Sequence, residues 1–216
     1  MTHNKCEKCE HPIQSTFSIC GICKAKEAFF TTGNRKKLLL QAGIPPRIAQ
    51  KTLSLCPQST INKNAPNCTP FTKLHDVGLF YSGKAGVGKT VNAACILLHD
   101  MEAAKTTRSS RDHTRTHMFV TCQDMLEDIR SGFASKENVQ TKYRDVDFLV
   151  IDDLGVEKVT DWVFSTLYAI IDYRFNHYKT TVYTSNYTLN QIAKKLGDAR
   201  ITRRIAEVSD IILLKG

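Results

Sequence analysis

The chain predicts an α/β fold built on one parallel sheet, and three observations predict it. Apolar runs of strand length alternate with helix-like stretches along most of the chain. Gly83-Lys84-Ala85-Gly86-Val87-Gly88-Lys89-Thr90 fits G-x-x-x-x-G-K-[ST], set between such a strand and such a helix. Phe148-Leu149-Val150-Ile151 runs into two carboxylates, Asp152 and Asp153. Five strands are expected, at Val77–Tyr81, His117–Thr121, Phe148–Asp153, Thr180–Ser185 and Ile211–Leu214, joined by right-handed crossovers through flanking helices.

Bulk composition sets the outer limits. With 216 residues there is room for one good-sized domain and a small appendage. No apolar run is long enough to cross a bilayer, and the first residues lack the apolar centre of a signal peptide. A cytoplasmic protein with no membrane partner is therefore expected. Thirty Lys and Arg against 21 Asp and Glu leave a formal charge of +9, which suits an acidic partner such as nucleic acid.

At the head, Cys6-x-x-Cys9 and Cys20-x-x-Cys23 form two knuckles ten residues apart. Four thiolates complete a tetrahedral Zn²⁺ shell, and a metal can replace the core that so short a segment cannot bury. The competing readings are unligated thiols and a redox dithiol, the latter weaker because no thioredoxin-like βαβ unit surrounds the pairs. Cys56, Cys68, Cys95 and Cys122 stand singly and read as structural or incidental. Helices are expected over Lys24–Phe30 and Asn34–Ala42, the second ended by Gly43-Ile44-Pro45-Pro46-Arg47. The polar stretch from Pro57 to Pro70 reads as loop.

The glycine-rich loop carries the first chemistry. Its glycines let the backbone bring N–H groups up to a polyphosphate, and the helix from Lys89 to about Ala104 points its positive end at the same anion. Lys89 adds a charge near the β- and γ-phosphates, and Thr90 offers a hydroxyl to Mg²⁺. The basic stretch Lys105–Arg115 is either a solvated connector or a phosphate-backbone contact. Asp124 begins the next helix after the second strand.

Asp152 and Asp153 carry the second chemistry. Strand C-termini line the ligand crevice of such sheets, so both acids are expected beside the phosphate loop, on an adjacent strand. Asp152 would hold the magnesium and Asp153 would polarise the attacking water. A helix follows from Thr160-Asp161 to about Asn176, its aromatics serving packing. Asn186, just past the fourth strand, is placed to reach the γ-phosphate or its water. Leu189–Leu196 and Asp198–Glu207 read as short helices before the last strand.

Several stretches together resemble one family. Asp152-Asp153-Leu154-Gly155-Val156-Glu157-Lys158 with Thr160-Asp161-Trp162, Ile171-Asp172-Tyr173-Arg174-Phe175-Asn176 and Thr184-Ser185-Asn186 resemble the DnaC/DnaI-type bacterial helicase loaders. Leu39 through Arg47 is similar to the start of that family's ATPase domain, and the cysteine head is similar in kind to the zinc-bearing heads of some members. The resemblance implies an AAA+ P-loop ATPase domain over residues 43–216, preceded by a zinc-binding and helical segment over 1–42 that touches the helicase. It implies ATP and Mg²⁺ as cofactors, a hexameric replicative helicase and single-stranded DNA as partners, and head-to-tail self-association into a ring or spiral. Asn186 takes the sensor-1 position, and Arg204, with Arg200 second, takes that of an arginine finger acting on a neighbour's ATP. Asp153 stands where AAA+ proteins commonly carry Glu, which implies slow, switch-like hydrolysis. The chain stops soon after the last strand, so no C-terminal lid is expected. Two alternatives share the phosphate loop: an IstB-type transposition helper binding duplex DNA and a transposase, and a small-molecule kinase, for which no acceptor pocket is apparent.

Overall fold

The computed structural model describes residues 4–5, 12–13, 31–56, 78–106, 115–135, 138–155 and 158–215. Cys6, Cys9, Cys20 and Cys23, the helix expected over 24–30, the polar stretch 57–70 and residues 107–114 of the basic loop lie outside them. Near the start, β1 (Asn4–Lys5) and β2 (Pro12–Ile13) pair antiparallel.

The five expected strands form one all-parallel sheet: β3 (Gly78–Ser82), β4 (His117–Thr121), β5 (Phe148–Asp152), β6 (Thr180–Ser185) and β7 (Ser209–Leu213), in the order β4-β5-β6-β3-β7. Each of β3, β5 and β6 is buried nearly throughout, as a central parallel strand requires. Side chains alternate between two cores. Leu79, Tyr81, Phe148, Val150 and Val182 face one way, while Phe80, Leu149, Ile151 and Tyr183 face the other.

The first face is covered by α1 (Thr32–Gln41), α2 (Pro46–Leu55) and α3 (Lys89–Thr106), through Leu39, Ile44, Ala49, Ala94 and Leu97. The second is covered by α4 (Cys122–Ser135), α5 (Val139–Asp145), α6 (Asp161–Asn176), α7 (Leu189–Leu196) and α8 (Arg200–Val208), through residues such as Met125, Tyr143, Leu167, Ile192 and Ile205. Cys95 and Cys122 are buried.

Two helices differ from the sequence reading. Pro45-Pro46 does not merely end α1; Pro46 starts α2 at the first helical position, where its missing N–H costs nothing. Gly43, at φ +94°, forms the turn between them. A Cβ there would stand 2.6 Å from the carbonyl oxygen of Phe119, so only glycine lets the turn lie against β4. The Phe119 N–H donates to the Ala42 carbonyl at 2.7 Å, and the exposed edge of the sheet is partly covered. The second helix, α5, is not expected from the residue pattern; it is short and polar, and Tyr143 is its buried residue. The expected division at residue 42 falls between α1 and α2, and both helices pack with α3 in one core.

Other ends follow their caps. Thr160 accepts from the Val163 N–H to begin α6, as expected. Thr188 and Gln191 form a reciprocal capping box on α7, which ends at Gly197 in the left-handed region.

Candidate nucleotide site

The phosphate loop leaves the end of β3 and runs into the first turn of α3. Gly86 and Gly88 adopt φ of +85° and +94°, backbone that an L side chain resists. This is the conformation that turns successive backbone groups toward a polyphosphate at a helix N-terminus. Lys89 is buried, and its ammonium donates to the carbonyls of Gly83 and Lys84 at 2.9 and 2.8 Å and to Asn186 Oδ1 at 2.7 Å. Burial lowers its pKa, and the nearby Asp153 and Asp152 carboxylates work against that.

The sheet departs from expectation at one point. The phosphate loop and the two aspartates do not follow adjacent strands, because β6 lies between β3 and β5. The sites still meet, since residues of β6 bridge them. Thr184 is fully buried, and its hydroxyl donates to Asp152 Oδ1 at 2.6 Å. Thr184 Oγ1 in turn accepts the Asp153 N–H at 2.9 Å, and the Thr184 carbonyl accepts the Leu154 N–H at 2.8 Å. Two residues on, Asn186 meets Lys89. Thr90 reaches Asp152 from the other side, donating to Oδ2 at 3.2 Å.

Asp152 is therefore a buried carboxylate gripped by two hydroxyls. Burial pushes its pKa above the ordinary range, and the neighbouring Asp153 adds to that; Thr184, Thr90 and Lys89 act against it. A hard divalent cation would relieve the same desolvation, and Thr90 with Asp152 supplies the oxygen donors it prefers. Those donors, the adjacent ammonium and the glycine cradle fit a magnesium nucleotide. Among the described residues no cluster of three or more His, Cys, Asp or Glu gathers as a metal site.

Asp153 is half-buried with φ +56°, a left-handed conformation uncommon outside glycine. Such a conformation costs on the order of 1 kcal/mol and persists where its surroundings impose it. Here the Thr184 hydroxyl and carbonyl hold the turn. Ser185 Oγ donates to the Leu154 carbonyl at 2.6 Å, and Lys195, on α7, donates to the Gly155 carbonyl.

The arginines lie elsewhere. Arg204 donates to Asp172 Oδ1 at 3.0 Å and covers the Phe175 ring at 4.5 Å. It lines a cleft with Gly78, Ile171, Phe175 and Tyr178. Gly78 begins β3, whereas the loop follows its end, about 13 Å further along. Arg200 pairs with Asp198 at 2.8 Å and lies over Phe164 and Tyr168. The fold thus brings Lys89, Thr90, Asp152, Asp153 and Asn186 together and leaves both arginines outside that group.

Thr184 carries no expected chemistry: on a strand written Thr-Thr-Val-Tyr-Thr-Ser its hydroxyl is one of four on Ser or Thr, and only its place two residues before Asn186 sets it apart.

The chain is similar to several known proteins. A sequence profile of the IstB-like ATP binding protein family matches residues 71–212. The phage-like element PBSX protein XkdC of Bacillus subtilis (strain 168) is 28% identical over 95 residues, 41% of this chain and 35% of that protein. The match thus spans about a third of that curated relative's length. The crystal structure of the DnaC helicase loader superposes with a TM-score of 0.54 at 25% identity, covering 65% of this chain and 79% of that one. The DnaI crystal structure shares the fold, with a TM-score of 0.50 at 24% identity over 65% of this chain and 71% of that one. The likeness to DnaC and DnaI expected from the motifs is present in three dimensions, and the parallel sheet is that of an AAA+ P-loop core. The profile covers well over half of the residues, and the chain belongs to the IstB-like ATP binding protein family.

Proposed function

We propose that this protein is a slow, switch-like ATPase that engages a hexameric replicative helicase and helps place it on single-stranded DNA. The observation that carries the ATPase reading is the convergence of Lys89, Asn186, Thr90 and Asp152 at the C-terminal ends of β3, β6 and β5. Magnesium bound with the nucleotide supplies charge neutralisation for the phosphates. Residues 83–90 cradle the phosphates. Lys89 exchanges its carbonyl and Asn186 partners for phosphate oxygens. Thr90 and Asp152 take the magnesium side. Asp153, turned by its left-handed backbone, orients the attacking water, and Asn186 senses the γ-phosphate.

The loader reading draws support from the likeness to the DnaC helicase loader and from the +9 charge. In it, residues 1–42 contact the helicase through a Cys6/Cys9/Cys20/Cys23 zinc knuckle, and residues 43–216 form the ATPase. Arg204, with Arg200 second, acts on a neighbouring copy's ATP, which suits its distance from its own loop and demands head-to-tail contacts. The protein works in the cytoplasm; among the described residues no helix is long and apolar enough to cross a membrane.

The test is a pull-down of the full chain against a bacterial replicative helicase, without nucleotide and with ADP or ATP. A complex in at least one state is expected, and no complex in any state defeats the loader reading. Preference for duplex over single strands at fixed salt would point instead to a transposition helper. Lys89→Ala should lose nucleotide binding, while Asp153→Asn should bind and not hydrolyse. A metal assay on the purified chain should find one zinc per chain, and finding none removes the knuckle.

A further inference from the structure

Asp152 depends for its orientation on a residue of another strand. The last register pair between β5 and β6 is Ile151 with Tyr183, so Thr184 sits across from Asp152 one step beyond the ladder. Its single hydroxyl proton goes to Asp152 Oδ1 at 2.6 Å. The lone pairs that remain accept the Asp153 N–H at 2.9 Å. One oxygen atom thus fixes the carboxylate of one aspartate and the left-handed backbone of the next. The side chain is fully buried, so no water competes for either bond. A β-branched side chain on a strand has restricted χ1 freedom, which keeps the hydroxyl aimed.

Thr90 is the second donor to Asp152, at the longer distance of 3.2 Å. Once the Thr90 hydroxyl turns its oxygen to a cation, Thr184 is the described donor that still holds Asp152. Resting on the reading of Asp152 as the magnesium-side acid, we propose that Thr184 is a positioning residue for magnesium. It presents the other Asp152 oxygen, Oδ2, to the metal and links that acid to the Asn186 end of β6. Its Oγ, rather than its methyl group, does this.

The test uses the full chain and a fluorescent ATP analogue, titrated with Mg²⁺ and, separately, in EDTA. Groups that orient a metal ligand typically change affinity by about 10–100-fold when removed. Thr184→Val should raise the half-saturating Mg²⁺ concentration at least about tenfold and leave affinity in EDTA within about twofold. Thr184→Ser, which keeps the oxygen, should stay within about threefold of the natural protein. If Thr184→Val does not fold, Thr184→Cys takes its place, with a weak S–H donor and a shift in the same direction. An unchanged Mg²⁺ requirement in the folded variant overturns the proposal. Equal weakening with and without Mg²⁺ also overturns it, because that marks a purely structural residue. A natural protein whose nucleotide binding ignores Mg²⁺ fails differently: it removes the reading of Asp152, and the role of Thr184 with it.

Discussion

At the carboxyl edge of the sheet, Lys89 and Asp152 are buried beside each other, the lysine with a lowered pKa and the acid with a raised one. At the amino edge, Arg174 is more deeply buried still, yet its guanidinium makes five hydrogen bonds. They reach the carbonyls of Tyr143, Arg144, Val146 and Thr180 and the Thr181 hydroxyl, tying α5 and the loop after it to β6. Nearby, Asp147 takes bonds from Lys179 and from Thr116, and Asp100 holds both His117 and Arg115. The difference separates two uses of buried charge. Amino-edge charges are matched to fixed protein partners. Carboxyl-edge charges rest on partners that a ligand can replace: two loop carbonyls and Asn186 hold Lys89, and the Thr90 hydroxyl holds Asp152 Oδ2.

The largest effect should follow from breaking the matched side. Arg174→Met keeps much of the buried volume and strands several carbonyls that the guanidinium satisfied. A buried acceptor left without its donor costs about 1–3 kcal/mol, and several are left here, so a loss of about 3–5 kcal/mol is expected. Urea unfolding should report a loss of that size, and the molecules that remain folded should bind nucleotide as the natural protein does. A loss below about 1 kcal/mol would mean that the amino edge is not what holds this face together.

A smaller effect of opposite sign is expected at the carboxyl edge. Asp152 has a folded pKa above its ordinary 3.8, so the native state binds the extra proton between the two values. Stability contributed by that carboxyl therefore falls as pH rises through the window, and at neutral pH its ionisation works against folding. Asp152→Asn removes the ionisation. Without ligand it should raise stability by about 1 kcal/mol, the usual size of such a trade between function and stability. It should also abolish the Mg²⁺ dependence of nucleotide binding. A destabilised Asp152→Asn would place this acid with the matched charges of the other edge.

How much of this could be read from residues alone differs between the same two edges. The carboxyl edge was legible because its chemistry is local: the glycine pattern with Lys89 and Thr90, the acids ending an apolar run, and Asn186 following a β-branched strand. Strand and helix periods were equally local, so the five strands and most helices fell near their expected places. What escaped depended on strand order. Nothing in the sequence said that β6 separates β3 from β5, and Thr184 matters only because it does. Arg174 enters the sequence pattern only as part of the stretch Ile171–Asn176, with nothing local to mark it as buried. Its burial depends on the C-terminus of α5, a helix too short and polar to show a period. Pro46 was ambiguous for a similar reason, since proline can close one helix or open the next.

The smallest expected effect tests whether the amino edge is matched by charge as well as by geometry. Burial by itself would raise the Asp147 pKa. Hydrogen bonds from Lys179 and Thr116, with the Lys179 charge, outweigh it and hold the carboxyl at about 2. A lowered acid contributes stability that is complete above its ordinary pKa of 3.8 and is lost as pH falls toward 2. The Lys179–Asp147 side chains are 26% and 38% exposed, so solvent screens the pair and the contribution should not exceed about 1 kcal/mol. Unfolding of the natural protein and of Asp147→Asn, followed from pH 6 down to the acid limit of folding, should show the variant weaker at pH 6 and the gap narrowing as pH falls. Asp152→Asn should show the reverse: an advantage at pH 6 that shrinks as Asp152 takes up its proton. Two aspartates at opposite ends of one sheet would then titrate against stability with opposite slopes. Parallel slopes would dissolve the distinction between the edges, whatever the mutants at Arg174 do.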